Sequence, residues 1–138
     1  MIARFVSALC FAALAAGSAS ASEEKIKVEL NKLEPQGGAC QAYILIQNKT
    51  SSTYSNLSLD LVMFDSNGII SRRLAVEMAP LRAGKTSVKV FGIDGTSCDG
   101  ISRILVNDVL SCTSDGAVQE TCLDRIETAS RGSVELIN

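Results

Sequence analysis

The sequence predicts an all-β fold, an antiparallel β-sandwich of about seven short strands stapled by disulfides, and three observations predict it. Apolar and polar residues alternate with a period of two in successive segments, turn-forming residues separate those segments, and four of the five cysteines lie beyond the apolar N-terminal stretch. A half-buried strand requires that period because consecutive side chains leave opposite faces of the pleat.

The first element is not part of the sandwich. Residues 1–21 have the organisation of a secretory signal peptide: Arg4 supplies the positive charge, residues 5–16 are an apolar run, and Ala19, Ser20 and Ala21 are small residues of the kind a signal peptidase reads. The run falls short of the ~20 residues a membrane-crossing helix needs, and Ser22-Glu23-Glu24-Lys25 follows it, so cleavage after Ala21 and no retained membrane span are expected. Cys10 lies within the apolar run, a poor context for lipidation. Residues 22–138 are then a single domain, exported to the periplasm for a bacterial source or secreted. Loss of Arg4 makes the formal net charge of −2 one unit more negative, which argues against nucleic acid and anionic membranes as partners.

In the body of the chain, Ile26, Val28 and Leu30 alternate with charged residues, and Pro35-Gln36-Gly37-Gly38 reads as a turn. Cys40, Ala42, Ile44 and Ile46 then share one face, with Tyr43 and Leu45 on the other; Leu57, Leu59, Leu61 and Met63 repeat the pattern, with Ser58, Asp60, Val62 and Phe64 opposite. Asn67-Gly68 suits a type I′ hairpin turn, since both central residues of that turn take positive φ. Residues 69–78 form a less buried strand carrying Arg72 and Arg73, and a strand in which Val88 and Val90 face one way follows the turn at Pro80 and Gly84. Gly92, Gly95 and Gly100 punctuate a loop around Cys98. In the last long strand Ile104, Val106, Asp108 and Leu110 fall on one face, and Asp108 spoils the pattern, so a bulge or an end is expected there. Residues 133–137 are a weak final strand, and residues 117–127 are compatible with a short C-terminal helix that would place Val118, Cys122 and Ile126 on one stripe.

In an exported chain Cys40, Cys98, Cys112 and Cys122 read first as disulfides, because the compartment is oxidising. There is no C-x-x-C for a zinc or thioredoxin-like centre, and no histidine to serve a nucleophilic cysteine. Four cysteines allow three connectivities. Asp115-Gly116 can turn the chain back between Cys112 and Cys122, which favours pairing those two and leaves Cys40 for Cys98.

The stretch "QNKTSSTYSNLSLDLVMFDSNG" with "LRAGKTSVKVF", within residues 41–91, resembles the FxLYD-type group of immunoglobulin-like domains, and the resemblance implies an immunoglobulin-like sandwich. The segments "GGACQAY", "DLVMFD", "AGKTSVKVF" and "ILVNDVL" also resemble a family of small exported alphaproteobacterial proteins often labelled twin-arginine-pathway signal proteins, although Arg4 has no second arginine beside it. Neither resemblance carries catalytic residues to transfer.

The absence of histidine removes Ser-His and Cys-His catalysis and imidazole ligation of metals. Asp60, Asp94 and Asp99 are the carboxylates available to an alternative hydrolase or lyase, but carboxylates on strand exteriors and in turns are ordinarily solvated. "DGTSCDG" offers too few converging oxygens for calcium. No catalytic, cofactor or metal site is therefore expected. The expected function is a non-enzymatic binding or assembly module for a periplasmic protein partner. Its candidate interface is Tyr43, Leu45, Val62 and Phe64, an outward apolar set that forms one patch if the strands bearing them are neighbours.

Overall fold

The computed structural model describes Gly17 and residues 24–138; apart from Gly17, the expected signal peptide lies outside the described residues. The chain forms β1 (Ile26–Gln36), β2 (Ala39–Asn48), β3 (Tyr54–Phe64), β4 (Ile70–Glu77), β5 (Thr86–Ile93), β6 (Arg103–Ser114), β7 (Ala117–Val118), β8 (Ile126–Ser130) and β9 (Glu135–Ile137). Sheet A is ordered β5-β2-β1-β8, and sheet B β4-β3-β6-β7 with β9 also on β6. Their inner faces share one core, in which Ile26, Ile44 and Ile46 of sheet A meet Leu57, Leu59, Leu61 and Ile104 of sheet B. This is an all-β, disulfide-stapled sandwich.

Two pairings depart from the antiparallel expectation: β8 lies parallel to β1 and β9 parallel to β6. Both are short strands from the C-terminal 13 residues that return to edges left open by the main hairpins. Residues 117–127 hold no α-helix; they contain β7 and a 3₁₀ turn, Cys122–Arg125.

Turn chemistry explains the hairpins. Gly37 and Gly38 take φ of 54° and 84°, and Asp115 and Gly116 take 50° and 81°, so each pair supplies the two positive φ values of a type I′ turn. Pro35 belongs to β1, opposite Cys40, beyond the last pairing with β8, where its missing N–H breaks no ladder bond. At Asn67-Gly68 only Gly68 has positive φ. The Asp65 carboxylate accepts from the N–H groups of Asn67 and Ile69, and Gly68 N–H donates to Asp65 O, which selects a longer turn than the expected type I′.

In β6, register shifts opposite Ser58/Leu59 and Asp60/Leu61 mark two bulges, as Asp108 signalled. The bulges change the phase of the strand. Ile104, Val106, Cys112 and Ser114 are buried, whereas Asp108 and Leu110 are turned out and Val109 packs against the core.

Asn48, at the end of β2, is 1% exposed and holds two of the crossovers between the sheets, β2 to β3 and β4 to β5. Its Nδ2 donates to the carbonyls of Ser52, Leu81 and Arg82 at 2.9, 3.3 and 3.1 Å, and its Oδ1 accepts from the Thr50 N–H and hydroxyl. Asn48→Asp places an oxygen against three carbonyls and is expected to cost about 3 kcal/mol or more, measured by urea unfolding at neutral pH.

Two disulfides are formed, Cys40–Cys98 and Cys112–Cys122, with sequence separations of 58 and 10. The first ties β2 to the 3₁₀ turn after β5, and the second clamps β6 to the 3₁₀ turn before β8. Loop-closure entropy assigns about 4 kcal/mol to the longer and about 3 kcal/mol to the shorter. The Cys40→Ala/Cys98→Ala pair should therefore lower the urea midpoint more than Cys112→Ala/Cys122→Ala; equal losses would show that chain entropy is not what the bridges supply.

Candidate functional site

The four residues of the expected interface do not form one patch. β2 pairs with β1 and β5, β3 pairs with β4 and β6, and so Tyr43 and Leu45 lie on the outer face of sheet A while Val62 and Phe64 lie on the outer face of sheet B. The reason is the crossover at residues 49–53: it carries the chain from one sheet to the other, where a hairpin would have made the strands neighbours.

On sheet B the outer face is charged. Val62 is only 6% exposed between Arg73 on β4 and Leu105 on β6, and the Arg103 guanidinium stands 4.9 Å from the Phe64 ring centroid. Asp60, expected to be solvated, is 3% exposed. Arg73 Nε and Nη2 donate to its two oxygens at 2.8 Å each, and Asn107 Nδ2 donates to Oδ2 at 2.8 Å. The strand pattern gave its outward direction, but not the arginine from the adjacent strand that folds over it. The hydrogen bonds from Arg73, then that from Asn107, hold the Asp60 carboxyl below its ordinary range against the opposing effect of burial. The carboxylate is thus committed to a fork-shaped ion pair.

On sheet A the outer face divides into an apolar half and a polar half. Register sets Tyr43 opposite Val90 and Leu45 opposite Val88, so two cross-strand apolar pairs stand side by side. Val88 and Val90 remain 64% and 40% exposed. Phe91 and Ile93, on the opposite face of β5, pack toward the core, which fixes the two valines outward. Their alternation was visible in the sequence; their direction was not. Towards β1, Lys32 Nζ lies 4.4 Å from the Tyr43 ring centroid and 2.7 Å from Glu34 Oε2. Hydrogen bonding to Lys32 lowers the Glu34 pKa, and the same contact raises that of Lys32. Glu29, 6% exposed, accepts from Asn31 and Arg131, whose hydrogen bonds lower its pKa, with that of Asn31 the larger cause. A groove of about 300 Å³ runs between these halves, lined by Lys32, Tyr43, Leu45 and Val88 among others.

The other nominated carboxylates are placed by turns. Asp94 is exposed before Gly95, and its carbonyl accepts from Arg72 Nε at 2.6 Å; Asp99 is exposed within the 3₁₀ turn Cys98–Gly100, not in a positive-φ turn with Gly100. Gly95 is favoured where it stands because its φ is +71°, a conformation that side-chain-bearing residues rarely adopt. Among the described residues no group of three or more His, Cys, Asp or Glu side chains is placed to hold a metal ion, and no helix is long and apolar enough to cross a membrane.

The fold and the two bridges define a class, a small disulfide-stapled β-sandwich. No protein-family model matches the chain. No curated protein is significantly similar to it. Among solved structures it is similar to IrmA from Escherichia coli, with a TM-score of 0.56 at 12% identity, over 77% of this chain and 92% of that one. That likeness is one of fold.

Because the folded Asp60 pKa lies below its unfolded value, the ion pair contributes stability above about pH 4 and loses it as pH falls through the folded value. Asp60→Asn should cost about 1 kcal/mol at pH 7, a modest figure because Arg73 is largely solvated, and the gap from the parent should close as the pH falls below 4. Urea midpoints measured from pH 7 to pH 2 test this; a gap that persists at pH 2 would assign the loss to packing.

Proposed function

We propose that this protein is an exported, non-enzymatic binding or assembly module with an immunoglobulin-like core, acting in the periplasm or outside the cell on a protein partner. The observation that carries the reading is the solvent-facing apolar group Tyr43, Leu45, Val88 and Val90 on sheet A, contiguous across two paired strands and beside an open strand edge. Two disulfides support an oxidising compartment, as does the signal-like segment at residues 1–21. The strand order supports the immunoglobulin-like assignment: β1, β2 and β5 in one sheet and β4, β3 and β6 in the other follow the division of such sandwiches. On sheet B the face around β3 is the poorer contact surface, since Arg73 and Arg103 already cover Asp60 and Phe64 there.

Affinity capture from the native extracytoplasmic fraction, with the parent beside a Leu45→Ser/Val88→Ser variant, tests this surface. The expected result is a partner retained by the parent and lost by a variant whose melting temperature is within about 3 °C of the parent's, as is usual for surface changes. A partner held equally by both would move the interface off this face.

A further inference from the structure

We propose that the open edge of β5 takes an extended acidic and apolar segment of a partner protein as an added strand of sheet A. This rests on the binding-module reading and names the kind of partner.

The argument begins with the ladder. β5 pairs with β2 on one side, in unbroken register from Cys40↔Ile93 to Gln47↔Thr86, and no described strand pairs with its other side. Asn48 N–H donates to Lys85 O at 2.9 Å, just beyond that register. In an antiparallel pair the backbone polar groups of alternate residues point to the same side, so Ser87, Lys89 and Phe91 direct theirs to β2. Thr86, Val88, Val90 and Gly92 direct theirs to the open side. The free edge therefore presents a regular row of donors and acceptors, and its side chains at Val88 and Val90 continue the apolar group of Tyr43 and Leu45.

Two of the other open stretches are guarded. On β6, between the pairings with β9 and β7, two bulges interrupt the strand and Asp108 Oδ1 takes the Val109 N–H. On β4 the register with β3 also shifts, between Met63 and Phe64, and Arg72 bonds to the Asp94 carbonyl.

Charge selects the occupant. Residues 84–93 contain Lys85 and Lys89 and no acidic residue. Lys89 has no ion-pair or hydrogen-bond partner among the described residues. A second copy of β5 laid antiparallel on the first offers Lys89 no carboxylate in any register, and the registers that set lysine opposite lysine are destabilised by like charge. A segment that alternates valine-like and acidic residues places its apolar side chains beside Val88 and Val90 and a carboxylate beside Lys89.

The probe is acetyl-Thr-Val-Glu-Val-Glu-Val-Thr-amide, titrated into the oxidised protein by NMR, beside the same peptide with Lys for Glu. Saturable binding should slow exchange of the Val88 and Val90 amides by about tenfold or more and favour the Glu peptide by a similar factor. Val90→Pro, which removes an edge donor and no bond to β2, should abolish it at unchanged melting temperature. Lys89→Glu should transfer the preference to the Lys peptide, a readout independent of whether the proline variant folds. Protection on β4 or β6 instead, equal affinity for both peptides, or protection of Val88 and Val90 that rises with protein concentration alone would overturn the proposal. If the edge fails while the partner captured through Leu45 and Val88 is still bound, only this inference falls; if both fail, the binding surface itself lies elsewhere.

Discussion

One buried amide governs how the two sheets are joined. A sandwich of this kind must pass its chain from sheet to sheet, and each passage exposes backbone groups that no ladder satisfies. Asn48 meets that need at two passages together: it closes the β2 to β3 crossover through Thr50 and Ser52 and the β4 to β5 crossover through Leu81 and Arg82. Leu81 is further fixed by reciprocal backbone bonds with Tyr54, the first residue of β3. The start of β3 and the approach to β5 are thus set relative to the end of β2. The apolar pairs on sheet A depend on this, because the register of β5 begins beside the bond from Asn48 to Lys85.

The disulfides act at the opposite end of the problem. The protein has few aromatic residues with which to thicken its core, and the large buried side chains are mostly aliphatic. Each bridge joins a strand to a short 3₁₀ turn that has little packing of its own. The cross-links hold those turns against the core and reduce the entropy of the unfolded chain. The amide organises where the sheets meet, and the bridges secure the connections that the ladder does not reach.

Strand identity was legible wherever one face is buried. Cys40, Ala42, Ile44 and Ile46, and again Leu57, Leu59, Leu61 and Met63, alternate cleanly because each has a core on one side only. The bulge in β6 was legible too, since Asp108 occupies a position that the period reserves for the core. Sheet membership was not legible. Alternation says that a strand has an inside, but it does not say which strand lies beside it, so β2 and β3 read as neighbours although a crossover separates them. Nor did local pattern reveal β8, whose partner β1 begins 100 residues earlier in the chain and pairs with it in parallel. The burial of Asp60 depended on Arg73, thirteen positions away and adjacent only through the register of β3 with β4.

These limits bear on how the surface is understood. An outward apolar residue acquires meaning only from its cross-strand neighbours. Phe64 has Arg103 over its ring and Val62 is covered, so two of the four sequence-selected residues are already partnered within the chain. Tyr43, with Lys32 over its ring, and Leu45 instead meet Val88 and Val90 on an edge strand, and the two valines remain exposed. Edge strands with such features are usually shielded by bulges, or by charges that oppose pairing. On β5 the shield is Lys89, and a cation is selective: it repels another copy of its own edge while leaving the backbone row open to an acidic strand. The residue that protects the edge from self-association is therefore the one that gives it a preference.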